Sequence, residues 1–258
     1  HKIRSLARKF DQVHVVLRLL DAYDSNQFQR LIYPLNVAIR EKAVDLALKE
    51  FDRTLIAALE DAGRITVGQH SQASELFEFE RFKGVSNQWT NFSKYVLMRI
   101  DRYLAELLGM PSFASGALKE LEERFNRSGM KTYAMHLEHI YTQHPKNKAL
   151  FTKDGVFDES SFQATRNLLG MVLLLKDKIN LSSNDEIYSD KCDTYSKSGL
   201  IWNEMLVGHM HSTYVNSLPP DLRLDKIEPD SNKVFPLDKV VSRQKAMFLA
   251  IKAIWGGF

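Results

Sequence analysis

The sequence lacks the features that mark secreted, membrane-spanning and disulfide-stabilised proteins. Among its 258 residues there is a single cysteine, Cys192, so an internal disulfide framework is excluded. No apolar run reaches the roughly 18 residues that a membrane-spanning helix needs. The first residues also lack the basic, apolar and small-residue regions of a signal peptide. We therefore expect a cytoplasmic protein that acts without a membrane.

Neither sign of charge dominates the chain. It contains 35 basic and 32 acidic residues, which gives a formal net charge of +3. Residues of the two signs are interspersed along the sequence rather than segregated. This balance permits binding to a polyanion but does not establish it. The basic cluster Lys2, Arg4, Arg8 and Lys9 is predicted to be a solvated face rather than a DNA track. The chain begins at His1 without methionine, so we expect a piece of a longer protein with upstream domains.

Residues 1–130 are predicted to form a helical region, because apolar side chains recur there at three- and four-residue steps. A glycine ends each of three apolar stripes, at the position where a helix favours left-handed backbone. The stripes cover residues 44–62 before Gly63, residues 92–107 before Gly109, and residues 118–125 before Gly129.

Residues 131–258 have a different pattern and are predicted to form a second domain. The apolar run Leu168–Leu175 is short and interrupted by Gly170, which favours a strand over a buried helix. The helical period returns over Asn180–Tyr195 and Val240–Trp255. The predicted fold class is therefore mainly α, a helical bundle with a small embedded unit that contains little strand.

A small set of polar residues between positions 138 and 180 carries the strongest indication of chemistry. Glu138 and His139 are adjacent, and asparagines follow at positions 167 and 180. Histidine is suited to act as a general base near neutral pH. The oxygens of Glu138 and Asn180 suit Mg²⁺ or Mn²⁺. In an extended segment Glu138 and His139 point to opposite sides, so that one can face a metal and the other a water molecule.

Four motifs in this half of the chain resemble a known nuclease family. They are Leu137-Glu138-His139-Ile140, Arg166-Asn167 with Gly170, Asn180-x-Ser182, and Tyr188 with Lys191 and Tyr195. Their order and spacing resemble the HNH, or ββα-metal, nuclease domain at the C-terminus of GmrSD-type and SspE-type restriction proteins. Residues 1–130 resemble the helical region that precedes this domain. The resemblance implies that residues 131–258 contain an embedded ββα-metal unit and closing helices.

The resemblance also implies a function and a set of roles. It implies a divalent-metal-dependent DNA endonuclease or nickase of a restriction or phage-defence system that contacts DNA through its backbone. It further implies an upstream nucleotide-dependent domain. The implied roles are water activation by His139, support of the histidine loop by Asn167, metal placement by Glu138 with Asn180, and phosphate contacts by Arg166 and Lys191.

Several alternatives stay open at the level of sequence. A Glu-His pair taken alone is usually a solvated surface pair, so the chain could be a non-catalytic helical module that binds DNA or a partner and carries a degenerate motif. RNA cleavage is equally compatible with the motif. His136 is predicted to be structural. A zinc site of His144, His209 and His211 is disfavoured because no cysteine pairing supports it.

Overall fold

The structure is a computed structural model that describes residues 2–41, 44–88, 90–111, 135–176 and 186–257. The chain divides into two compact units, His1–Val85 with Lys252–Phe258, and Ser86–Ile251. The predicted domain boundary at residue 130 and the third apolar stripe lie outside the described residues. No helix in the described ranges combines the length and the apolar character that crossing a membrane requires.

The first unit is helical, as its periodicity predicts. The stripe that ends at Gly63 forms a helix whose buried face includes Phe51, Leu55 and Leu59, and Gly63 has a φ of +65°. This helix packs against both helices that precede it. The helices of the unit are α1 (Lys2–Leu19), α2 (Ser25–Arg40), α3 (Val44–Asp61) and α4 (Phe79–Phe82), with a 3-10 turn at Ala73–Leu76.

One member of the N-terminal basic cluster departs from its predicted place on a solvated face. Lys9 is buried, and its ammonium group forms an ion pair with Asp52 at 2.6 Å. The carboxylate of Asp52 also accepts a hydrogen bond from the main-chain N–H of Ala73 at 2.9 Å. The prediction is wrong for Lys9 because helix α3 supplies a carboxylate that compensates the charge in the interior.

The second unit begins with the helix of the second apolar stripe. Its long elements are α5 (Thr90–Leu108), β1 (Met135–His139) and α11 (Val240–Trp255), of which α11 belongs to this unit up to Ile251. Between β1 and α11 lie α6 (Pro145–Ala149), β2 (Thr152–Lys153), β3 (Val156–Phe157), α7 (Glu159–Arg166), β4 (Val172–Lys176), α8 (Tyr188–Ser196), α9 (Ile201–Leu206) and α10 (Ser212–Ser217). Short 3-10 turns occupy Leu169–Met171, Pro220–Leu222 and Leu237–Lys239. The mainly α fold class is confirmed.

Strands β1 and β4 form an antiparallel pair that carries the central motif. The register joins Met135 to Lys176 and His139 to Val172, and helix α5 packs against both strands. The strand predicted for Leu168–Leu175 is confirmed only from Val172 onward. The preceding 3-10 turn includes Gly170, whose N–H donates to the side-chain oxygen of Gln244 at 2.7 Å. A Cβ at Gly170 would lie 2.8 Å from the Cα of Gln244, so this turn requires glycine.

The segment between β1 and β4 is built from several short elements. It contains α6, a hairpin of β2 and β3, and α7. The hairpin turns at Asp154 and Gly155, which have φ values of 51° and 77°, as a two-residue turn with left-handed backbone requires. The side chain of Asp158 caps α7 by accepting from the N–H of Ser161. Helix α7 ends at Arg166, so this segment presents Arg166 and Asn167 beside β1.

Candidate functional site

His139 is the last residue of β1, and its imidazole is held at one nitrogen by two asparagine side chains. The amide nitrogen of Asn87 lies 3.0 Å from Nε2, and the amide oxygen of Asn167 lies 3.2 Å from the same atom. The side chain is half-buried. No hydrogen bond joins Nδ1 to any residue that the structure describes. The ring therefore has one anchored nitrogen and one nitrogen that can accept a proton.

Asn87 is a site residue that the sequence analysis missed. It precedes His139 by 52 positions and belongs to none of the four motifs. Ser86 and Leu168 form an isolated antiparallel bridge, and the main-chain N–H of Asn87 donates to the carbonyl oxygen of Asn167 at 2.8 Å. This pairing of two distant segments sets the two asparagines side by side. Local spacing contains no signal for such a contact.

The environment keeps His139 neutral at physiological pH. Burial and, to a lesser extent, the nearby guanidinium of Arg166 lower the pKa of the imidazole to about 4, against the opposing effect of the hydrogen bond to Asn167. Desolvation and a neighbouring cation both disfavour the imidazolium form. The ring is thus fully available as a proton acceptor at pH 7, although a pKa this low makes it a weaker base.

Arg166 supplies positive charge next to the imidazole of His139. Its Nε donates to the carbonyl oxygen of Tyr141 at 3.1 Å, and the side chain is half-buried. Within the described ranges, its two terminal nitrogens make no hydrogen bond or ion pair. Burial lowers the pKa of the guanidinium, which stays charged at pH 7 because its ordinary value exceeds 12. A guanidinium with free terminal nitrogens suits a phosphate oxygen.

Glu138 and Lys191 meet in the interior. Glu138 is buried with 6% of its surface exposed, and Lys191 of helix α8 is fully buried. Their carboxylate and ammonium groups form an ion pair, and the ammonium nitrogen also lies 3.4 Å from the carbonyl oxygen of His139. Burial lowers the pKa of Lys191 to about 7, and the carboxylate beside it favours the charged form. Both side chains thus lie away from solvent, and each is the partner that compensates the charge of the other.

The described residues do not by themselves fit a divalent cation. Of the two predicted ligands, Glu138 is engaged by Lys191 and Asn180 lies outside the described residues, as does Ser182. No group of three or more histidine, cysteine, aspartate or glutamate side chains in the described ranges could hold a metal ion. The metal roles of Glu138 and Asn180, and the phosphate role of Lys191, stay predictions.

Two of the three histidines considered for zinc have local structural roles. The ring of His144 accepts a hydrogen bond from the N–H of Lys146 at 3.1 Å, and the ring of His211 accepts one from the N–H of Thr213 at 3.2 Å. Each ring therefore caps the helix that follows it.

Comparison with protein families gives a match to a family described as GmrSD restriction endonucleases, C-terminal domain, over residues 72–248. The match covers more than half of the chain. The chain belongs to this family. Neither the curated proteins nor the solved structures gave a match. The resemblance drawn from the four motifs is confirmed at the level of the family.

Membership in the GmrSD C-terminal family gives a coarse function to this part of the chain. Residues 72–248 form a restriction endonuclease-type module, for which DNA is the implied substrate. The matched range includes His139, Asn167 and Arg166, and it also includes Asn87. The imidazole of His139, its two amide partners and the neighbouring guanidinium are therefore all parts of the GmrSD C-terminal module.

Proposed function

We propose that the chain is a metal-dependent DNA endonuclease or nickase module of a restriction or phage-defence protein, in which His139 activates the water that cleaves a backbone phosphodiester. The observation that carries this proposal is the state of the imidazole. Its Nε2 is anchored by asparagine side chains, its Nδ1 has no partner among the described residues, and its pKa lies at about 4. A neutral ring with one open nitrogen is what a general base requires.

The chemistry follows from this arrangement. A water molecule next to Nδ1 of His139 gives its proton to that nitrogen while its oxygen attacks phosphorus. The bond between phosphorus and the leaving sugar oxygen then breaks, and the leaving oxygen takes a proton from solvent. In the tautomer that acts as the base, the amide oxygen of Asn167 accepts the Nε2 proton and so favours the imidazolium ion that forms. General-base assistance of this kind is worth about 10²- to 10⁴-fold in rate.

Arg166 is the residue that we assign to the phosphate. Its terminal nitrogens can donate to the non-bridging oxygens, where negative charge increases in the transition state. The guanidinium is close enough to His139 to lower its pKa, so both groups can act on one phosphate. A contact of this kind positions the DNA backbone and reads no base. The proposed substrate is therefore DNA without sequence selection by this site.

Dependence on Mg²⁺ or Mn²⁺ is part of the proposal, with Asn180 and Glu138 as its predicted ligands. Such an ion would supply charge stabilisation at the phosphate. Glu138 would have to leave Lys191 to bind it, since the two form an ion pair in this structure. Cytoplasmic location and an upstream nucleotide-dependent domain of the same protein remain proposals of the same kind.

Cleavage of a supercoiled plasmid tests the proposal. We expect the chain to convert the supercoiled form to the nicked or linear form with Mg²⁺ or Mn²⁺, and EDTA to stop the reaction. The substitution His139→Ala is expected to reduce the rate by at least about 10²-fold. The matched control is His209→Ala, because His209 is exposed. Equal cleavage by the two variants would remove His139 from the mechanism.

A second function is favoured by one observation. The carboxylate predicted to hold the metal is buried in an ion pair, as expected for a degenerate motif in a module that binds DNA or a partner without cutting. Retained DNA binding without metal-dependent cleavage would establish this alternative. Matched DNA and RNA substrates in the same assay decide which nucleic acid the chain cleaves.

A further inference from the structure

The two asparagines beside His139 offer opposite hydrogen-bonding groups to one ring nitrogen. Asn87 presents an amide N–H group 3.0 Å from Nε2, which can only donate. Asn167 presents an amide oxygen 3.2 Å from Nε2, which can only accept. In a neutral imidazole, Nε2 carries either a proton or a lone pair. Only one of the two contacts can therefore be a hydrogen bond at any moment.

Each contact consequently belongs to a different tautomer of the neutral ring. With the proton on Nε2, the ring donates to Asn167 and Nδ1 has the free lone pair. With the proton on Nδ1, the lone pair of Nε2 accepts from Asn87 and Nδ1 cannot act as a base. The shorter of the two contacts is the one to Asn87. Both contacts lie within hydrogen-bonding distance, so the site accommodates either tautomer.

We propose that Asn87 is a positioning residue that holds His139 in the tautomer opposite to the one that Asn167 holds. The ring keeps its orientation in both tautomers, because both partners bind the same nitrogen. The effect of Asn87 on the tautomer of His139 rests on this geometry alone. The effect of Asn87 on cleavage rests on the proposed nuclease function. A main-chain hydrogen bond of 2.8 Å between Asn87 and Asn167 keeps the two amides in register.

Nitrogen NMR of the imidazole tests the proposal. In the chain labelled with ¹⁵N-histidine, the ring nitrogen shifts of His139 report the ratio of its two tautomers at pH 8, where the ring is neutral. The signal is assigned by its loss in His139→Gln. Asn87→Leu is expected to move the ratio toward the Nε2–H form, and Asn167→Leu toward the Nδ1–H form. If each contact contributes the net free energy of an ordinary hydrogen bond, the tautomer ratio should change by about two- to tenfold in each direction.

Two further variants keep the test decisive. Asn87→Asp preserves the shape and replaces the donor by an acceptor, so it should also move the ratio toward the Nε2–H form, and it substitutes for Asn87→Leu if that variant does not fold. Asn216→Leu is the control, because Asn216 is exposed on helix α10, and it should leave the ratio unchanged. Changes in the same direction at positions 87 and 167, or no change at position 87, would overturn the proposal.

Turnover separates this inference from the proposed function. If the chain cleaves DNA, Asn167→Leu should lower kcat and Asn87→Leu should raise it, each by about two- to tenfold, with KM unchanged. Equal losses of kcat in both variants would show that the asparagines are only structural supports and would overturn the proposal. Opposite tautomer shifts in a chain without cleavage activity would support the role of Asn87 and reject the nuclease.

Discussion

The ammonium group of Lys191 forms an ion pair with the carboxylate of Glu138 in the protein interior. The same ammonium lies 3.4 Å from the carbonyl oxygen of His139. Helix α8 is thereby linked to the end of strand β1, where His139 lies. Because the Lys191 side chain is fully buried, the two charges compensate each other without help from solvent, and removal of either one leaves the other unpaired.

We predict that breaking this pair destabilises the protein more than removing it. Glu138→Gln and Lys191→Met should each lower the free energy of unfolding by about 3–5 kcal/mol, because each leaves one uncompensated buried group. The double variant should lose clearly less than the sum of the two. Urea unfolding of the three variants measures the coupling.

The exposed pair of Asp193 and Lys197 is the matched control for this cycle. Its side chains are 73% and 69% exposed and lie 2.7 Å apart, so Lys197→Met should cost less than about 1 kcal/mol. Additive losses at positions 138 and 191 would contradict the assignment of a coupled buried pair. A higher metal requirement in Glu138→Gln at unchanged stability would instead support Glu138 as a metal ligand.

The pH dependence of cleavage should follow the lowered pKa of His139. The base must be neutral to act, and its pKa lies at about 4. The value of kcat/KM should therefore stay constant as the pH falls through 6.5 and decline only near pH 4. A profile of kcat/KM between pH 4 and 8 measures this limb, since it reports groups of the free enzyme.

Arg166 is one of the causes of that low pKa, so its removal should displace the acid limb. Arg166→Met is expected to raise the pKa of His139 and move the decline toward pH 6.5. Arg102→Met is the control, because Arg102 is exposed and paired with Glu106 on helix α5. A decline near pH 6.5 in the unaltered chain would show that burial does not govern the base.

A separate prediction concerns the contact of Arg166 with the DNA backbone. Arg166→Gln should weaken binding to a short duplex about equally for all sequences and reduce the slope of log K against log salt by about 1. The measurement is duplex affinity at several salt concentrations. Arg102→Gln serves as the control of equal charge change. An unaltered slope in Arg166→Gln would show that the guanidinium does not contact phosphate.

The sequence predicted the elements that local pattern controls. The apolar stripes before Gly63 and Gly109 became helices α3 and α5, since burial of one helix face at every three or four residues is a local property. His139 was selected from its residue type and Asn167 from the family resemblance, and the structure brings them together at 3.2 Å. Residues 177–185, which include Asn180, are not described, so this part of the predicted site stays a prediction.

The sequence could not predict features that depend on contacts between distant segments. Asn87 reaches His139 only because Ser86 pairs with Leu168, and no periodicity predicts that bridge. The same limit applies to Lys191. The position of Lys191 in a helix was predicted. The direction of its ammonium group could not be predicted, because it depends on the carboxylate of Glu138 on strand β1.

Asp101 gives a prediction about stability that is independent of catalysis. This residue of α5 is 2% exposed, and its Oδ1 accepts from the main-chain N–H of Trp202 at 3.3 Å. Burial raises the pKa of the carboxyl to about 7, against hydrogen bonds from Trp202 and Ile201 that lower it. The folded state therefore retains a proton that the unfolded chain has already lost between about pH 4 and pH 7.

The sign of the effect follows from this difference in bound protons. Stability should fall as the pH rises through this range, because the folded state binds the extra proton. Asp101→Asn keeps an acceptor for the N–H of Trp202 and carries no charge, so it should be more stable than the unaltered chain at pH 8 and similar at pH 4. Each pKa unit corresponds to about 1.4 kcal/mol, which limits the gain to a few kcal/mol.

Urea unfolding of Asp101→Asn at pH 4 and pH 8 measures this gain. Asp193→Asn is the control, since the side chain of Asp193 is 73% exposed and its ionisation should matter little to folding. A loss of stability at pH 8 in Asp101→Asn would show that the ionised carboxylate is stabilising. Its interaction with the first turn of helix α9 would then outweigh the cost of burying the charge.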